Sequence, residues 1–365
     1  MIEYILVFLI LLAGAVAFYL AYDRYFSKPE KSESSLYIEA LKDLLDGNQG
    51  TAFSKLRQVV AEDSNNLDAY LRLGQILREN KRPERALQVH KDLTLRGGLS
   101  VADKVTILKQ LTLDYKDLND PDMAEAALRE IIELHPQDHW ARVNLLELHK
   151  KAEKWDEAYD TAAAILKLES NKSKKPLAVF KHHQGEQQYK KKDYHKARVL
   201  FKEAIGLDPS FVPAYLAIGD SYYEEKRSED AVNFWNKLIA AVPDQGHLVI
   251  DRLKKTLFDL GRFGEIAEIC ERILKHSPKN LEARLTLAEF FEKKGDLDAA
   301  EEILSQIVED SSQDLKSIIE LIRIYLDRGE TRKINDLFRS LEQRRERLQG
   351  RPKNEQVDAG LIGIS

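Results

Sequence analysis

Apolar and polar positions alternate along most of this chain with a helical period, in short paired runs. The clearest pair lies between Val212 and Gln245. Tyr215, Ile218 and Tyr222 mark one stripe, and Ala231, Trp235 and Leu238 mark a second. Spacings of three and four residues put each set on one face of a helix. Ala214, Gly219 and Ala231 are small, as the closest crossing of two packed helices requires, and Pro243 ends the second helix. The pattern predicts two antiparallel helices within 34 residues.

The same pattern recurs at a step of 34. Counting from Val212, the small residue at position 20 has counterparts at Ala52, Ala86, Ala124, Ala158, Ala197 and Ala300, with Ile266 and Ile334 in the same slot. Pro136, Pro209, Pro243 and Pro278 all fall at position 32. This spacing resembles the tetratricopeptide repeat (TPR). It predicts an all-α superhelical solenoid of about nine helix-turn-helix repeats, at 33–66, 67–100, 105–138, 139–172, 178–211, 212–245, 247–280, 281–314 and 315–348. Leu99 to Lys104 reads as an extra connection that shifts the register by four residues, and Asn171 to Pro176 as a second one that shifts it by five. The ninth repeat has Ile322 and Ile334 where small residues belong, as a terminal repeat can.

Ahead of the repeats, Tyr4 to Tyr22 carries no charge. At 1.5 Å per residue it reaches roughly 28 Å, enough to cross a bilayer core. Residues 1–26 are therefore expected to be a transmembrane helix and 27–35 a juxtamembrane linker. A cleaved signal peptide with Ala15-Val16-Ala17 as its small-residue site is the competing reading, but the segment before the apolar run holds Glu3 and no Lys or Arg. Arg24, Lys28 and Lys31 follow the span directly, which directs the repeat body to the cytoplasm. Ala13, Ala17 and Ala21 share one helix face and form a candidate packing surface for another membrane helix. Residues 349–365 read as a flexible tail.

The remaining composition narrows the function. A net charge of −5 argues against a general nucleic-acid binder, and a single cysteine, Cys270, excludes an internal disulfide framework or a cysteine-rich zinc site. The nine histidines form no recognisable metal site, and no nucleophile–base set or Gly-rich phosphate loop stands out. No cofactor, metal or enzymatic activity is expected. A TPR array binds partners on the inner face of its first helices, at positions 2, 5, 9, 12 and 13. The candidate partner-binding residues there are Leu71, Gln75 and Arg78; Lys109 and Lys116; His182, Glu186 and Tyr189; Leu216, Asp220 and Tyr223; and Leu285, Glu289 and Glu292. A solvated inner wall is the alternative for such a mixed polar surface. No repeat carries asparagine at position 9, so the two-carboxylate clamp of chaperone-tail binders is absent.

Several segments resemble the lipopolysaccharide assembly protein B family. They are the apolar N-terminal run, Tyr37-Ile38-Glu39-Ala40-Leu41, Ala69 to Gly74, Arg85-Ala86-Leu87-Gln88-Val89-His90, and Leu108 to Tyr115 with its Leu111-x-x-Asp114-Tyr115 core. The similarity is best over residues 1–170. It implies a single-pass, cytoplasm-facing adaptor at the bacterial inner membrane that regulates lipopolysaccharide synthesis. The implied partners are a membrane-bound AAA+ protease, the lipid A deacetylase presented to it, and other lipopolysaccharide biosynthetic enzymes. Family members also end in a rubredoxin-like metal domain with two Cys-x-x-Cys knuckles, whereas residues 351–365 here contain no cysteine. A divergent branch, a truncated chain and a membrane-tethered scaffold for another envelope assembly or secretion complex all fit that difference.

Overall fold

The computed structural model describes residues 33–310 and 314–348, together with Val16. The expected membrane span with its Ala13, Ala17, Ala21 face, linker residues 27–32 and the tail 349–365 lie outside the described residues. Among the described residues there is no strand, and no helix is long and apolar enough to cross a membrane.

Among the described residues from Glu33 onward, eighteen α-helices follow one another as nine antiparallel pairs. They are α1 (Glu33–Leu45) with α2 (Gln49–Glu62), α3 (Leu67–Glu79) with α4 (Pro83–Thr94), α5 (Val101–Asp117) with α6 (Pro121–Leu134), and α7 (His139–Lys151) with α8 (Trp155–Leu168). Then come α9 (Ala178–Lys190) with α10 (Tyr194–Leu207), α11 (Val212–Glu224) with α12 (Ser228–Ala241), α13 (Ile250–Asp259) with α14 (Glu265–His276), α15 (Leu281–Lys294) with α16 (Leu297–Asp310), and α17 (Leu315–Asp327) with α18 (Thr331–Leu348). The chain divides into two compact units, Met1–Lys172 and Ser173–Ser365, with α1–α8 in the first and α9–α18 in the second.

One local device ends the first helix of all nine pairs. Position 15 has a left-handed backbone at Gly47, Lys81, Asn119, Glu153, Lys192, Lys226, Gly261, Gly295 and Gly329, with φ between 52° and 86°. The next amide donates back to the carbonyl of position 11, as Arg82 does to Leu77 (2.9 Å) and Asp296 to Phe291 (2.8 Å). That pairing is the helix-ending Schellman bond, which leaves few carbonyls unsatisfied and reverses the chain in three residues. Glycine takes the left-handed conformation without a Cβ clash. Lys81, Asn119, Glu153, Lys192 and Lys226 hold it because the helices on both sides are packed.

The core lies between the paired helices and between successive pairs. In the second unit one cluster runs from Ala178 to Leu287 and includes Phe201, Trp235 and Leu257; a second joins Leu285 to Ile334. In the first unit Ala40 to Ile76 form one cluster and Leu71 to Leu148 another. Position 8 shows why the pairs pack so closely. Cβ atoms built on Gly74, Gly185 and Gly219 would lie 2.2, 2.5 and 2.1 Å from the rings of His90, Phe201 and Trp235, which all occupy position 24. The glycine thus makes room for a flat ring on the partner helix, rather than only for a close backbone crossing.

Three expectations change. Val101–Lys104 is not a connection but an added first turn of α5, capped by Ser100. The Ser100 hydroxyl accepts from the Asp103 amide at 3.1 Å, and the Asp103 carboxylate accepts from the Ser100 amide at 3.1 Å. Such a reciprocal box satisfies two free amides and nucleates the turn, so the four extra residues extend the helix. In the seventh repeat the first helix starts late, at Ile250, because Pro243–Val249 forms a 3-10 segment. The Glu33–Ser35 end of the expected linker already belongs to α1.

Candidate partner-binding groove

The first helices bring positions 5, 9 and 12 of successive repeats side by side, and charged side chains there reach across from one repeat to the next. In the first unit Arg78 of α3 binds the Asp114 carboxylate of α5 at 2.7 Å and the Gln110 side chain at 2.8 Å. Lys109 lies 2.8 Å from the Asp138 carboxylate and 5.4 Å from the centre of the Trp140 ring. Lys116 donates to Asn144 at 2.9 Å and lies 3.5 Å from Glu147. Gln75 donates within its own helix to Glu79 at 2.8 Å. Burial raises the pKa of Asp138, but Lys109, the Ala141 amide and His135 outweigh it and leave that carboxylate below its ordinary range.

Behind Arg78 sits a buried link that was visible only as two separate segments in the sequence. His90 of α4 is fully buried, with Nδ1 2.5 Å from the second Asp114 oxygen and Nε2 3.3 Å from the Leu71 carbonyl oxygen. Both ring nitrogens face acceptors, so either tautomer donates from one and the imidazolium donates from both. Asp114 is itself fully buried and receives Arg78 on its other oxygen. Arg85–His90 and Leu111–Tyr115 therefore meet inside the fold.

The second unit has the same rungs with less burial. Asp220 receives Arg252 of the next repeat at 2.7 and 3.1 Å, Glu289 receives Lys254 at 3.0 Å and Lys293 at 2.9 Å, and Glu292 pairs with Arg323. Glu186 accepts from His183 at 2.7 Å and lies 3.6 Å from His182. The His182 ring packs against Phe201 and Phe211 with centroids 5.2 and 5.5 Å away, and this burial holds its pKa below the usual histidine value. Tyr189 is half-buried, and burial together with the charges of Glu224 and Asp220 pushes its hydroxyl up to about 12. Tyr223 lies against Trp235 and under Lys255, and Leu216 is half-buried beside the core.

The candidate residues thus fall into distinct groups. Leu71 and Leu285 are buried core residues and offer no side chain to a partner, because the next first helix covers position 5 in these repeats. Arg78, Lys109, Lys116, Asp220, Glu289 and Glu292 have their charges engaged between repeats. Tyr189, Leu216 and Tyr223, with Gln75, His182 and Glu186, are partly exposed. Glu289 and Glu292 also border a cavity of about 350 Å³ that holds Lys293, Lys316, Glu320 and Arg323, three acids and three bases in all. Arg252, Lys254 and Arg323 were absent from the sequence-based set. Their signal was an opposite charge about one repeat away, since the bonded partners are 31 to 35 residues apart. A larger groove of about 710 Å³ lies outside this face, between α4 and α6, with Ile107, Leu111 and Tyr115 in its floor. Cys270 is fully buried, and burial pushes its thiol up to about 12, which leaves it unreactive at neutral pH. Among the described residues no group of three or more His, Cys, Asp or Glu side chains has the arrangement to hold a metal ion.

Comparison with known proteins agrees with this architecture. A tetratricopeptide-repeat family profile matches residues 188–249 and 257–322. Lipopolysaccharide assembly protein B of Escherichia coli K12 is 23% identical over 265 residues, covering 73% of this chain and 68% of that protein. The chain carries tetratricopeptide repeats and is similar to lipopolysaccharide assembly protein B. The Haemophilus influenzae protein of the same name is 22% identical over 245 residues, covering 67% of this chain and 61% of its own length. Among solved structures, a TPR protein from Parabacteroides merdae matches at 14% identity and a TM-score of 0.38, over 81% of this chain and 99% of that one.

Proposed function

We propose that this chain is a non-catalytic, membrane-tethered adaptor in lipopolysaccharide assembly that holds protein clients on the inner face of its first helices. The similarity to lipopolysaccharide assembly protein B over 73% of the chain carries this reading. The meeting of Arg85–His90 with Leu111–Tyr115 through the His90–Asp114 bond supports it, because the resemblance rests on those segments. In finer terms, the adaptor presents the lipid A deacetylase to a membrane-bound AAA+ protease and contacts other lipopolysaccharide biosynthetic enzymes. Tyr4–Tyr22 spans the inner membrane and the repeats face the cytoplasm. Tyr189 and Tyr223 are the anchors for the client, since half-exposed aromatic side chains carry much of the energy where interfaces are strong.

Deleting the gene tests this reading. The lifetime of the deacetylase lengthens and lipopolysaccharide rises if the adaptor role is right. A version lacking residues 1–26 restores turnover poorly, because tethering to the protease's own membrane raises effective concentration. Exchange for an unrelated single span restores it if the span is only a tether; failure implicates the Ala13, Ala17, Ala21 face. Tyr189→Ala with Tyr223→Ala slows turnover while leaving the helical fold intact. An unchanged deacetylase lifetime after deletion overturns the adaptor role in favour of a scaffold for another envelope complex.

A further inference from the structure

The last described repeat leaves large apolar side chains in water. Leu315, Ile319 and Leu326 of α17 are 70%, 62% and 63% exposed, and Phe338 of α18 is 50% exposed. Leu315, Ile319, Ile322 and Leu326 follow at i, i+4, i+7 and i+11, so they share one narrow helix face. That face is separate from the one α17 buries with Ser317, Ile318, Leu321, Ile324 and Tyr325. In repeat numbering these are positions 1, 5, 8 and 12. In the second repeat the same positions are Leu67, Leu71, Gly74 and Arg78; Gly74 lies against His90 of its own pair, and the next first helix covers Leu71 and Arg78. Leu71 packs in one cluster with Val105 and Leu108, and Arg78 bonds Gln110 and Asp114. Among the described residues no helix performs this service for α17.

The charges beside the stripe say what fits. Lys316, Glu320, Arg323 and Asp327 lie at the same spacing, one residue further on, and read plus, minus, plus, minus. Read from the other end the order is minus, plus, minus, plus. We propose that α17 docks against α17 of a second copy of this chain, antiparallel and about a two-fold axis. The two-fold swaps two antiparallel helices only if it is perpendicular to both, so it keeps both charged flanks on the same side of the interface. Lys316 then faces Asp327 of the other copy and Glu320 faces Arg323, while Leu315 meets Leu326 and Ile319 meets Ile322. A parallel pair would place the two charged flanks on opposite sides of the interface, where they could not pair, and a uniformly acidic or basic partner would be repelled by half of the flank. Such a surface is self-complementary, as an isologous contact requires. Arg323 is already paired with Glu292 and Glu320 in its own chain, so the flank sets register more than strength. One 13-residue helix per copy, with Phe338 beside it, makes a small interface and a weak, reversible dimer.

Sedimentation of this 365-residue chain in detergent micelles tests this over roughly 1 to 200 µM protein, the range in which a dissociation constant on the order of 10 µM is read directly. A monomer–dimer equilibrium is expected. Ile319→Glu, at a solvent-exposed site, should keep the circular dichroism spectrum and weaken the dimer by at least about tenfold, the effect of some 1.4 kcal/mol. Lys316→Glu should weaken it several-fold, and Lys316→Glu combined with Asp327→Lys should restore it. A monomer at every concentration overturns the proposal; a stripe covered by the chain's own residues 349–365, or reserved for a helix of another protein, would give that result. A dimer indifferent to Ile319→Glu also overturns it, because the copies then meet elsewhere. Failure of the charge exchange to recover the dimer rules out the antiparallel register.

Discussion

In the second repeat Gly74 leaves room for the ring of His90, and in the sixth Gly219 leaves the same room for Trp235. The steric requirement is shared, but the chemistry that follows is not. Trp235 settles among apolar neighbours such as Ile218 and Leu238, where its single polar atom, the indole N–H, is buried without an acceptor, and the sixth repeat is tied to the seventh by a half-exposed Arg252–Asp220 pair. His90 brings two polar atoms into the core, so it needs the Asp114 carboxylate of the third repeat, and that carboxylate in turn receives Arg78. The slot asks only for a flat ring, because interiors are close-packed. The polarity of that ring decides how firmly the neighbouring repeat's register is specified.

The contrast is sharpest at Asp114. Asp114→Ala leaves His90 and Arg78 facing a buried void without their anion, which costs about 3–5 kcal/mol, as breaking a buried charge pair does. Denaturant unfolding should report this in the first unit, and His90→Phe in the same chain should recover part of it, since the fifth repeat already packs Phe201 over Gly185. The comparable insult in the sixth repeat is steric. Gly219→Ala drives a methyl group into Trp235 and costs about 1–3 kcal/mol by overpacking. Adding Trp235→Leu should relieve it, because the eighth repeat pairs Ala288 with Leu304 in these slots. Partial recovery by His90→Phe would confirm that the polar ring depends on the neighbouring repeat; no recovery would place the cost of Asp114→Ala on Arg78 alone.

A pH titration separates the two kinds of coupling further. Burial works to raise the pKa of Glu125 in α6, but Arg129 and Lys154 prevail and hold it at about 2, against an ordinary value of 4.5. A carboxylate depressed in the folded state contributes stability that is present above its unfolded pKa and lost as pH falls through the folded one. Glu125→Gln should therefore lower stability at neutral pH and flatten its decline between about pH 5 and pH 2. An unchanged acid limb would show that the pairs with Arg129 and Lys154 do not hold in solution. Arg252→Ala is expected to have the smallest effect, below about 1 kcal/mol and reduced by salt, because the pair it breaks is largely solvated. A loss as large as that of Asp114→Ala would erase the distinction between the two junctions.

The pairing of helices and their number among the described residues were readable from the sequence. Apolar spacing, small residues at position 20 and prolines at position 32 are local features, and the helix they specify depends mainly on residues within four of each other. The inner face was readable as a set of positions for the same reason. What each side chain on it does was settled only in three dimensions. Leu71 is buried by α5, Asp220 finds Arg252, and Glu292 finds Arg323, contacts that depend on how one repeat leans on the next. The left-handed turn at position 15 was readable where Gly47, Gly261, Gly295 and Gly329 stand, and in part at Asn119, but not at Lys81, Glu153, Lys192 and Lys226, which have no such preference. Packing on both sides imposes that conformation, because the strain at one residue is small beside the two helix faces it allows to close.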